Sequence, residues 1–146
     1  MTQPWLLLSM FALVCWGITG NTQKLSTNYV STQLSFLAFA LAFLPVALVT
    51  MLLFPVDLRV TREVLWLGVL GGVLNGLGAL TSFAAFEKGA KSAVAVPIMY
   101  LYPLISVLLA RAFLNEQISG AHWAGILLAP VAAWLLSKES ETTPIT

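Results

Sequence analysis

The stretch VAVPIMYLYPLIS, residues 94–106, sets Pro97 and Pro103 on either side of Tyr100 and Tyr102 in an otherwise apolar run. Proline has no N–H, so Pro97 leaves the carbonyl of Ala93 without its helical donor, and Pro103 does the same to Met99. Freed carbonyls beside two phenols can hydrogen-bond a solute and stack against its apolar face. Other neutral polar side chains could serve such a site. CWGITGNTQK carries Trp16 and Thr19, and a later segment carries Asn75 and Ser82, two turns apart on one helical face. The chemistry open to this set is recognition and not bond making. All six carboxylates, Asp57, Glu63, Glu87, Glu116, Glu139 and Glu141, lie at segment ends or in links. The single Cys15 and single His122 form neither a nucleophile–base pair nor a metal-ligand set. The sequence therefore predicts no enzyme, with no catalytic residue, no metal and no cofactor.

What positions these residues follows from the solvent. Hydrophobic residues make up 59% of the 146 and charged residues only 9%; mean hydropathy is +0.91. A soluble domain carries about 25% charged residues, so this chain could not cover a water-facing surface. A lipid bilayer removes that problem. A net charge of +1 points to no nucleic-acid partner. A span needs about 20 apolar residues, and five segments fit: about 4–24, 33–54, 64–86, 92–113 and 121–137. Links such as PVDLRVTRE and NEQISGAH are short and make neighbouring spans antiparallel. The reading is an all-α, polytopic membrane protein with one transmembrane domain over 1–137 and a polar, disordered tail over 138–146. The first segment has no charged side chain before Trp5 and no A-x-A-like cleavage site, so it reads as a retained helix and not a signal peptide. The expected location is the plasma or inner membrane.

In lipid, broken backbone survives where it is buried in protein or lines a watery cavity, and discontinuous helices build many transporter sites. The fourth segment is therefore either a kinked structural helix or one broken around Pro97–Pro103 that faces a central cavity. Trp16, Thr19, Asn75, Ser82, Tyr100, Tyr102 and Pro103 are the candidate substrate-binding residues, with Tyr100 the preferred contact. On a regular helix Tyr100 and Tyr102 point about 200° apart, so both face inward only if the break rotates one. For Thr and Ser, hydrogen bonds between helices are the better expectation; Asn75 needs another helix, water or a ligand. Trp5, Trp66, Trp123 and Trp134 near segment ends suit interfacial anchoring. Gly68, Gly72 and Gly76 form a small-residue stripe expected to pack inside one bundle. Ala121, Gly125, Ala129 and Ala133 form a second, open to use inside the bundle or between subunits.

These features resemble one half of a drug/metabolite transporter, the five-helix EamA-type unit. The first helix matches in Trp16-Gly17 followed by Lys24, and the later half in Gly89, Ser92, Tyr102-Pro103, Leu114 with Glu116, and Gly125. Two departures stand out. Leu34-Ser35-Phe36 occupies the place where many members carry an arginine, and the common family transporter holds two such units in one chain. The absence of a first-helix glutamate separates the chain from the four-helix small multidrug resistance exporters. The resemblance implies half of a ten-helix inverted-repeat transporter. The expected function is transport of small organic metabolites or drugs by alternating access through a central cavity, in an antiparallel homodimer. A cavity of Trp, Tyr, Asn and Thr without embedded charge suits neutral, zwitterionic or aromatic-bearing solutes. The alternative is a non-transporting membrane subunit that associates with a larger partner.

Overall fold

The computed structural model describes residues 3–55 and 59–139. Asp57 and the tail from residue 140 onward lie outside the described residues. Every regular element among the described residues is an α-helix: α1 Pro4–Thr27, α2 Thr32–Leu41, α3 Phe43–Leu53, α4 Arg62–Glu87, α5 Ser92–Met99, α6 Tyr102–Phe113 and α7 Gly120–Glu139. Four stretches are long and apolar enough to cross a membrane: Pro4–Thr27, Thr32–Leu53, Arg62–Glu87 and Ser92–Phe113. A shorter apolar stretch, Trp123–Leu135, lies in α7.

Local chemistry sets the ends. Pro4 opens α1 at a position whose N–H would be unpaired anyway. Ser31 and Thr61 cap α2 and α4, accepting from Leu34 N and Val64 N at 3.4 Å each. Glu63 lies in the first turn of α4, where the helix dipole favours an anion. Gly89 follows α4 at φ +97, a conformation only glycine holds without strain, and Asn115 turns the chain after α6 at φ 54. The second apolar segment, read from sequence as one helix, is interrupted at Ala42 between α2 and α3. Pro45 explains this, because it offers no N–H to the carbonyl of Leu41.

Packing divides the chain into two units, Met1–Gly89 and Ala90–Thr146. In the first, α1, α2 and α4 pack on one another, while α3 packs on α2. The buried positions are Gly20 of α1, Thr32 and Ser35 of α2, and Ala79, Phe83 and Phe86 of α4. All lie towards the same end, where α1 finishes, α2 starts and α4 finishes. Elsewhere these helices expose leucine, valine and phenylalanine, the surface a bilayer solvates. In the second unit α5 packs on α7, with Ala95 and Ala133 buried.

A cation helps close the first unit. The half-buried Lys24 Nζ donates to the carbonyl of Phe86 at 3.0 Å. That carbonyl, in the last turn of α4 at the negative end of the dipole, also accepts from Gly89 N at 3.1 Å. Ser26 Oγ and Ser35 Oγ lie 2.7 Å apart, joining α1 to α2. Thr32 Oγ1 is buried with no partner among the described residues. Lys24→Met is expected to lower unfolding stability by about 1–2 kcal/mol, the range for a charged donor on a helix-end carbonyl. Lys24→Arg should restore most of it. Chemical unfolding of the purified protein in detergent measures both, and equal stability of all three proteins contradicts a bracing role.

Candidate functional site

The fourth span supplies the joint. Tyr100 and Leu101 separate α5 from α6. The joint is a tight turn and not an open loop: Tyr100 N donates to Val96 O at 2.9 Å, Leu101 N to Ile98 O at 3.1 Å, and Leu104 N to Leu101 O at 3.0 Å. The helix is interrupted within the Pro97–Pro103 stretch, at the turn before Pro103, whereas Pro97 is carried inside α5. Tyr100, Leu101, Pro103 and Leu104 line a groove of about 190 Å³ with Gly125, Ile126 and Ala129 of α7. Tyr100 is half-buried there. Tyr102 does not line this groove and is 55% exposed, although its ring centroid lies 6.3 Å from that of Tyr100. The turn brings the two rings near each other without putting both on one wall.

The first unit holds a second groove, of about 270 Å³. Phe36, Phe39, Ala40 and Phe43 form one wall, and Gly72, Asn75 and Gly76 of α4 form the other. The three phenylalanines are spaced by three and four residues, one helical face carried through the Ala42 interruption. Phe39 is held by edge-to-face packing on Phe43, with centroids 5.1 Å apart, and on the buried Phe83, at 5.8 Å. Sequence reading singled out Asn75 but missed these rings. The spacing was a usable signal, though it reads equally well as helix packing.

Trp16, Thr19 and Ser82 do not line either groove. Trp16 is 43% exposed on α1. Thr19 Oγ1 donates to Cys15 O at 2.8 Å and Ser82 Oγ to Gly78 O at 2.8 Å. Thr22 and Thr81 likewise donate within their own helices. The sequence favoured bonds between helices for such hydroxyls, but the carbonyl one turn back is always in reach. A hydroxyl spent in this way still accepts and no longer donates. The glycine stripe also differs from the expected packing. A Cβ at Gly76 would meet Phe36 Cζ at 4.0 Å, whereas one at Gly68 or Gly72 would meet nothing within 4 Å. In the alanine stripe, Ala133 is buried within its own unit and Ala129 lines the groove, while Ala121's side chain lies outside the described residues. Among the described residues no three His, Cys, Asp or Glu side chains gather as metal ligands.

The model of the EamA-like transporter family matches residues 3–138. The chain belongs to that family. Comparison with curated proteins and with solved structures gives no match. An EamA-like transporter is a multi-pass membrane protein that moves small molecules, in keeping with the four spans and shorter apolar helix found here. The match runs through both units of the chain, so both grooves belong to the EamA-like region.

Proposed function

We propose that this EamA-like chain works as an antiparallel homodimer of ten helices. It carries small organic metabolites or drugs across the plasma or inner membrane by alternating access. The substrates are neutral, zwitterionic or aromatic-bearing solutes, because the polar groups available within the spans are phenol, indole, amide and hydroxyl. The observation that carries this reading is the interrupted fourth span, with half-buried Tyr100 at the joint and Pro103 beside it on the wall of a groove. A joint of this kind gives the fourth span a place to bend beside the groove, which supports gating between inward- and outward-facing states. Trp16, Thr19, Asn75, Ser82 and Tyr102 are the other residues proposed to contact the solute.

Metabolite profiling of cells with and without the protein identifies the transported solute. For that solute, Tyr100→Ala and Asn75→Ala are each expected to lower transport about tenfold, the effect of losing one aromatic or hydrogen-bonding contact in a dry site. If both variants fold and transport as the parent does, the site assignment is wrong. If no solute differs between the two cell types, the protein is a non-transporting subunit.

A further inference from the structure

We infer that the groove between α2–α3 and α4 is a slot for one planar aromatic ring bearing a hydrogen-bonding edge, with Phe36, Phe39 and Phe43 as its wall and Asn75 as the polar contact. This deepens the transporter reading and rests on it only for the slot's use in transport. Three observations support the ligand class. First, the wall is preorganised: Phe39 is fixed between Phe43 and the buried Phe83, so a ring docking against it orders little. Aromatic faces and edges favour offset or edge-to-face partners over aliphatic ones. Second, the opposite wall is bare. A Cβ at Gly72 would meet nothing within 4 Å, which leaves a flat strip of helix backbone for a planar group to lie on. Third, the Asn75 carboxamide is exposed on that wall. It sits within the apolar span Arg62–Glu87 as the polar side chain of the groove lining. It both donates and accepts, so it suits an uncharged N–H or O–H. The groove volume of about 270 Å³ fits a one- or two-ring solute.

The test is equilibrium binding of radiolabelled indole to the purified full chain in lipid nanodiscs, with empty nanodiscs as the blank. Saturable binding above the blank is expected, and 1-methylindole, which lacks the N–H, should bind more weakly. Asn75→Leu should weaken indole about three- to tenfold, as loss of one hydrogen bond does, and remove the preference over 1-methylindole. Gly72→Leu should abolish binding, because its Cβ has room and the rest of the side chain occupies the slot. That variant keeps the test valid where Phe39→Ala disturbs packing on Phe83. Binding no greater than in empty nanodiscs, or unchanged in both variants, overturns the slot. So does a change of oligomeric state in Gly72→Leu, which makes this face a helix-docking surface. Indole binding needs neither a dimer nor transport. Its failure therefore leaves the transporter reading standing, and its success survives failure of that reading.

Discussion

A reporter fused after Thr146 is expected to give signal with both a cytoplasm-active enzyme and an enzyme active only outside. The antiparallel dimer requires this result, and the charge distribution leads to it. With five crossings and a cytoplasmic N-terminus, one side carries Arg59, Arg62 and Arg111 and the other Lys24, Lys88, Lys91 and Lys138. Orientation follows the excess of Lys and Arg in short loops, and three against four is almost no excess. Lys24 is moreover half-buried and engaged with the Phe86 carbonyl. Leaving it out gives three (Arg59, Arg62, Arg111) against three (Lys88, Lys91, Lys138). A chain with so little preference can insert both ways and supply both halves of an inverted pair. Adding two lysines to the Phe54–Arg62 link should collapse the two signals to one, with the enlarged link cytoplasmic. In the alanine stripe Ala133 is buried while Gly125 is exposed, so the exposed part of the stripe is what could pair in a dimer. Signal from only one reporter ends the antiparallel homodimer and calls for a heteromeric partner or a parallel pair.

Phe86→Ala is expected to cost about 2 kcal/mol of folding stability, while Phe11→Ala should change it by less than about 0.5 kcal/mol. Phe86 is 1% exposed at the packed end of the first unit, whereas Phe11 is 71% exposed on α1. In lipid the transfer part of the usual Phe→Ala cost largely cancels, since the unfolded helices also sit among apolar chains. The cavity part remains. Removing about 100 Å³ at about 24 cal/mol per Å³ gives the expected figure. Unfolding in mixed micelles measures both variants. Equal stability for the two rejects Phe83 and Phe86 as the centre of this unit's packing.

Much of the architecture follows from composition alone. A chain with 9% charge and apolar runs of span length has one solvent in which it can fold, and in lipid only internally hydrogen-bonded backbone is stable there. Helices are therefore determined before any packing is known. While Pro97 is carried inside α5, Pro103 specifies a break through a missing donor, a property of the residue itself. Pro45 does the same at Ala42, and reading the second segment as unbroken overlooked that signal. The site is a different matter. Small residues at Gly68, Gly72 and Gly76 are compatible with packing or with open space, and only the fold decides that a Cβ at Gly76 would meet Phe36 while one at Gly68 or Gly72 would not. Thr19 and Ser82 read as available donors until their own helices take the protons. Lys24 reads as a charge near the end of a span, and tertiary structure alone places the carbonyl of a residue 62 positions away within 3.0 Å of it. Periodicity says which side chains share a helix face. Which neighbour that face meets depends on helix rotation and close approach, and in lipid those are set by dispersion contacts and a few hydrogen bonds, too small and too non-local to be read along the chain.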